Sequence, residues 1–508
     1  MTKFIKEYEN IRKKINAFRF ALFLTNWDSE TAAPNGCFSN RAKQIGILNE
    51  EVYRLQTGKN TSTIINFLYK NRSQLNPVLN HEISEFKRNL TKIKKIPIDE
   101  FVEYKRIIAV SVKTWEKAKK AADFSIFQPT LEKIVDFKKK YIKRISTKKL
   151  FGYDVLLDEF ERGYKTKNYD RFFEELKREL VPFVHKIMNT NLEYNNNFVN
   201  QTYSINKQKE FIQYLEEVLG YDKNYGLMKE SEHPFTSSFG PTDVRYTNHF
   251  HENNITTAIF STIHELGHAL YEQQVDPELE STLSWGGGSM ALHESQSRFY
   301  ENIIGRSWEF WKQHFPILKK TFKKQFKTIK IKDFYKHINL VKPSLIRTEA
   351  DELTYPIHIM IRYDIEKALF TDQIQVKDLP TIWNQKVKEY LGLDVPTDRE
   401  GVLQDIHWAN GMFGYFPTYA LGSAYAAQIF RTMNKDFKVL KTLKTNNTEE
   451  INLWLKNNLH QYGATMKPKT LFKKAARGNF YPKYYIRHLI KKYTKLYKLN
   501  KEQSSRRK

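Results

Sequence analysis

Apolar residues recur every three or four positions through most of this chain, and the residues that interrupt such a pattern are scarce. Only 20 glycines and 16 prolines occur in 508 residues, clustered at a few junctions, so the sequence predicts long amphipathic helices with short connections. The segments around Phe172 to Ile187 and Phe211 to Leu219 are examples, each with an apolar stripe between charged faces. The expected fold is all-α, mostly helical, with one small β element over Asp243 to Phe250, where Val244 and Tyr246 face one way and Asp243, Arg245 and Thr247 the other. No repeat of fixed period and no linker cuts the chain, so residues 1–508 are read as one domain of two lobes at most, ending in a basic tail from about 495 to 508.

Bulk properties exclude some functions. Hydrophobic residues at 40% and aromatics at 14% supply a large core and argue against a disordered chain. Cys37 is the only cysteine and has no intramolecular partner, which favours a reducing, cytoplasmic compartment. The apolar run 18 to 27 is too short to span a bilayer and follows Glu7 and Glu9, so neither a signal peptide nor a membrane helix is expected. A net charge of +26 raises a polyanion-binding reading, but the basic runs Lys138 to Lys149, Lys319 to Lys332 and Lys491 to Lys508 are dispersed and carry no nucleic-acid signature. Solvated lysine-rich helix faces explain them better.

The segment 256 to 274 places Ile259, Ile263, Leu266 and Leu270 on one helical stripe, with His264 and His268 off it. Two imidazoles four residues apart project from one face and suit a single cation, while Glu265 lies beside them as a base: the HExxH arrangement. Histidines making ordinary core hydrogen bonds are the competing reading, so a third ligand matters. The extended form HExxHxxGxxH is ruled out by Tyr271 and Gln274. Glu272 shares the helix and cannot close a tetrahedral site, whereas Glu294 follows the helix-breaking Gly286-Gly287-Gly288 and arrives from a second helix. His264, His268 and Glu294 are therefore the expected metal ligands, zinc the expected metal with cobalt or manganese also compatible, and Glu265 the group that takes a proton from the attacking water.

With HELGH at 264 to 268 and His293-Glu294-Ser295-Gln296 in view, the chain resembles the carboxypeptidase Taq family of metallocarboxypeptidases over nearly its whole length. Three further motifs carry the likeness in order: DxRxT as Asp243 to Thr247, IRxxAD as Ile346 to Asp351 and GxxQDxHW as Gly401 to Trp408. The stretches Trp27 to Ala42 and GYFPTYALG at 414 to 422 are similar too. The resemblance implies a helical, two-lobed fold with a deep groove, similar to neurolysin and angiotensin-converting enzyme, and a homodimer that releases residues one at a time from peptide C-termini.

It also implies roles for particular residues. The planar, permanently charged guanidinium of Arg347 suits the terminal carboxylate, against a surface ion pair with Asp351. Tyr415 or Tyr419 is expected to reach the developing oxyanion, against ordinary packing. His407 either hydrogen-bonds the substrate or intermediate or is structural. Arg245 limits how much peptide extends past the metal, or else belongs to a structural edge strand; Asp351 or a nearby acid orients a ligating histidine. The family pattern is departed from at Asn248-His249-Phe250, which bears on substrate preference rather than on the reaction. The alternative readings are an oligoendopeptidase on the same scaffold and a basic polyanion-binding protein with a structural metal.

Overall fold

The computed structural model describes residues 1–499 apart from 446; the greater part of the expected basic tail, 500–508, lies outside the described residues, and the last helix, Lys483–Leu496, contains its beginning. The chain is mostly helical and carries one small sheet, as the spacing predicts. It divides into two compact units, each assembled from three stretches of sequence. Among the described residues no helix is long and apolar enough to cross a membrane.

The first unit comprises Met1–Lys95, Asn197–Ile331 and Thr432–Gly478. Its opening helices, among them Thr2–Thr31, Lys59–Lys70 and Pro77–Ile93, bury Tyr8, Ile15, Ile64, Ile65, Leu68 and Ile83 in a common core. Three strands follow the helix Ile205–Leu219: β1 (Gly226–Glu230), β2 (Thr236–Ser238) and β3 (Val244–Asn248), in the order β1-β3-β2. β1 runs parallel to β3, and β2 antiparallel. The strand is thus shorter than the expected 243 to 250 and is the central one, not an edge. Thr247 is buried along with Val244 and Tyr246, although it faces the other way, because the segment 231–235 covers it: its hydroxyl meets Ser231 Oγ at 2.6 Å and accepts from Phe235 N at 3.0 Å.

The sheet fixes the helix that matters most. Asn248 Nδ2 donates to Ala258 O at 3.0 Å and to Thr262 Oγ1 at 2.7 Å, so the end of β3 is tied to the first two turns of the HELGH helix, Ile255–Gln273. Asn254 caps that helix by accepting from the backbone N–H groups of Thr256 and Thr257. The expected apolar stripe is buried, but so are Phe260, Thr262, Glu265, Tyr271 and Glu272; this helix is enclosed on nearly all sides rather than amphipathic.

The second unit comprises Ile96–Asn196, Lys332–Arg431 and Asn479–Lys508. Its helices Thr166–Met188 and Tyr355–Phe370 share an aromatic core in which Tyr363 packs against Tyr169 and Phe173. Arg347 sits not on a regular helix but on a short turn of 3-10 helix, Arg347–Glu349. Asp351 accepts from the N–H groups of Leu353 and Thr354 and from Thr354 Oγ1, which starts the chain into the next helix.

Candidate metal centre

The sequence HELGH contains a residue whose purpose only the packing reveals. A Cβ on Gly267 would lie 2.6 Å from Gln296 O and 2.7 Å from Ser297 Cα, so this glycine lets the helix Met290–Arg298 cross in backbone contact. The crossing brings Glu294 over His264 and His268. Glycines ahead of it fix the approach: Gly287 N donates to Glu272 Oε1 at 2.9 Å and Gly288 N to Tyr271 Oη at 2.9 Å, while Ser289 caps the new helix at Leu292 N.

His264 Nε2 lies 3.7 Å and His268 Nε2 3.6 Å from Glu294 Oε2, and one ligand atom from each residue falls within 4.8 Å of the others. Metal–ligand bonds of about 2.0–2.1 Å in a tetrahedral site place ligand atoms roughly 3.3 Å apart, so a small contraction around a divalent cation completes the geometry. The far sides of both rings are already engaged. His264 Nδ1 donates to Glu301 Oε2 at 2.9 Å. His268 Nδ1 faces His293 Nδ1 at 2.5 Å, and His293 Nε2 in turn meets Glu272 Oε1 at 2.7 Å. With the carboxylate accepting from His293, its other nitrogen accepts from His268, and both ligating imidazoles turn a bare Nε2 lone pair inward. These residues fit a metal.

Electrostatics agree. Burial works against the Glu294 carboxylate, but Arg298, His264 and His268 overcome it and hold Glu294 well below the usual carboxylate range. Burial pushes His268 down to about 3, keeping it neutral as a ligand must be. His264 differs, because Glu294 and Glu301 outweigh its desolvation and raise it, so a cation binding there takes the place of a proton. Glu265 is buried beside the ligands and raised by desolvation, and its Oε2 accepts from Thr236 Oγ1 of β2 at 2.6 Å. Glu301 occurs on a π-helical turn, Phe299–Ile304, and is itself gripped by Arg298 and Arg306. Glu301, His293, Glu272 and Thr236 are the residues that sequence reasoning missed in these supporting places; the acid that orients a histidine is Glu301, not Asp351.

Arg245, in the same unit, forks both Asp243 oxygens at 2.6 and 2.8 Å and lies over the rings of Phe23 and Trp27. In the other unit, Arg347 and His407 meet Tyr415 and Tyr419, drawn from separate motifs. Arg347 Nε and Nη2 donate to Asp405 Oδ1 at 3.0 and 2.8 Å, so its ion pair is with Asp405 and not with Asp351 as the competing reading had it, and its guanidinium stands 5.1 Å over the Tyr419 ring. His407 Nε2 is 3.3 Å from Tyr419 Oη, and the Tyr415 ring packs 5.5 Å from His407 and 5.1 Å from Tyr419. Burial lowers His407 to about 4, so it is neutral at physiological pH.

A largely helical protein whose HExxH helix meets a third ligand, a carboxylate from a crossing helix, has the make-up of a metallopeptidase. The sequence profile described as carboxypeptidase Taq (M32) metallopeptidase matches residues 7–493. The chain belongs to that family, and it is a metallocarboxypeptidase, a hydrolase acting at the C-termini of peptides. It is 41% identical to carboxypeptidase 1 of Bacillus subtilis (strain 168), covering 97% of this chain and 99% of the relative. It is 34% identical to thermostable carboxypeptidase 1 of Pyrococcus furiosus, covering 95% and 96%. Among solved structures, the M32 carboxypeptidase from Deinococcus radiodurans R1 superposes with a TM-score of 0.94 at 29% identity, covering 98% of this chain and all of that one.

Proposed function

We propose that His264, His268 and Glu294 hold one zinc ion and that the chain, working as a single catalytic domain, releases amino acids singly from peptides with a free C-terminus. The observation that carries this reading is the convergence of two bare imidazole nitrogens and an ionised carboxylate oxygen within 4.8 Å. When bound, the metal supplies Lewis acidity that makes water a nucleophile near neutral pH. Glu265 takes the proton of the attacking water and passes it to the departing amine. Arg347 receives the substrate's terminal carboxylate on the guanidinium edge that Asp405 leaves free. Tyr415 donates to the developing oxyanion, Tyr419 lines the carboxylate site, and neutral His407 hydrogen-bonds the substrate. Arg245, braced by Asp243, limits how far a peptide extends. The family resemblance further supports a homodimer, and the lone Cys37 a cytoplasmic location.

Peptides offered as free acid and as C-terminal amide separate this from an endopeptidase. Mass spectrometry is expected to show ladders missing one residue at a time from the free acids and little loss from the amides. Equal cleavage of both, or internal fragments, contradicts the assignment.

A further inference from the structure

The helix Tyr355–Phe370 carries two charged side chains one turn apart, Arg362 and Glu366, and neither has any exposed surface. Arg362 Nε donates to Asp405 Oδ2 at 2.7 Å and its Nη2 to Gln404 Oε1 at 2.8 Å. Glu366 receives three donors. Trp408 Nε1 reaches Oε1 at 2.8 Å, and Tyr153 Oη and Gly414 N reach Oε2, each at 2.6 Å. The segment 404 to 414 is therefore pinned to adjacent turns of one helix. His407 stands between the pins, and Tyr415 follows the last of them.

Burying a carboxylate is costly, and desolvation pushes Glu366 up to about 7 in spite of its three donors and Arg362. A core acid that merely joined elements has no need to bind the backbone at this one residue. Gly414 has φ 89° and no room for a side chain, since a Cβ would lie 2.6 Å from Leu156 O. Its N–H is enclosed, and Glu366 is its acceptor.

We propose that Glu366 is a positioning residue for the peptidase reaction, setting His407 and Tyr415 by holding their immediate chain neighbours, Trp408 and Gly414. The inference rests on the reading of those two residues given above. Glu366→Gln is nearly isosteric, but three donors then meet one oxygen and one amide N–H₂, so one pin faces a donor and moves. Displacement of reacting groups by about 1 Å costs up to roughly 10²-fold in rate. Because Arg347 is braced by Asp405 instead, the loss falls on kcat with little change in KM for a free-acid peptide.

The test measures kcat and KM on an N-blocked dipeptide well below the melting temperature, with metal content recorded. Glu366→Gln is expected to lower kcat at least tenfold with metal content unchanged. Tyr153→Phe perturbs the same buried group without touching either pin, and is expected to stay within twofold of the parent. Trp408→Phe removes the pin beside His407 and lowers kcat; it decides the matter if Glu366→Gln is recovered unfolded. Unchanged kcat in Glu366→Gln, or an equal loss in Tyr153→Phe, overturns the proposal. His407→Ala and Tyr415→Phe are assayed alongside. If they keep full kcat, the roles given to those residues are wrong and the proposal falls with them; if they lose it while Glu366→Gln does not, the clamp alone is wrong.

Discussion

Glu265→Gln is expected to lower kcat by about 10³-fold while leaving the bound metal in place, in keeping with the 10²- to 10⁴-fold worth of a positioned general base. The glutamine has the same shape and can still accept from Thr236 Oγ1, which lies 2.6 Å from the carboxylate, so the side chain has no reason to relocate. It loses only the capacity to take a proton. The ligand set His264, His268 and Glu294 does not include it, and the supporting pairs His264–Glu301 and His268–His293 are untouched. Turnover of an N-blocked dipeptide together with elemental analysis of the variant checks this. A variant that retains its metal and works within tenfold of the parent refutes Glu265 as the base.

Arg347→Met is expected to reduce kcat/KM for free-acid peptides by roughly 10²- to 10⁴-fold, with little effect on whatever slow cleavage amides show. Two guanidiniums, Arg347 and Arg362, share the single carboxylate of Asp405, so Arg347 is only partly neutralised by it. His407 and His358 beside it are kept neutral by burial, at about 4 and about 3. A terminal carboxylate supplies the missing counter-charge. Hydrogen bonds to charged groups contribute about 1.5–3 kcal/mol each, and two of them, at tenfold per 1.4 kcal/mol, set the size of the loss. Arg347→Lys is expected to recover little, because an ammonium cannot reproduce a fork braced on one edge by Asp405. An equal fall on free-acid and amide substrates would assign Arg347 to the fold instead.

The parts of this protein written into local spacing were legible, and those that depend on distant contacts were not. The HELGH helix announces itself by its histidines and apolar stripe, and the triple glycine marks where a second helix can bring Glu294. What the stripe does not reveal is that Phe260, Thr262 and Tyr271 are buried too, since a helix's other faces are covered by elements far off in sequence. Gly267 reads as a weak point in a helix until the crossing backbone is seen. Glu301 stands seven residues after Glu294, two turns along the same face, a signal that was available. The residue that braces Arg347 was not legible, because Asp351 lies at helical spacing and suggests the competing ion pair while Asp405 is 58 residues away. Strand alternation put Thr247 on the face opposite Tyr246 but could not show that Ser231 and Phe235 cover it there.

Elemental analysis of the purified chain before and after chelation, paired with release of C-terminal amino acids, tests the centre of this account most directly. One divalent ion per chain is expected, with activity lost when it is stripped, restored when it is returned, and both binding and activity absent from a His264→Ala, His268→Ala double variant. A stripped chain that still releases amino acids at the full rate, or a double variant that still binds one ion tightly, would contradict it.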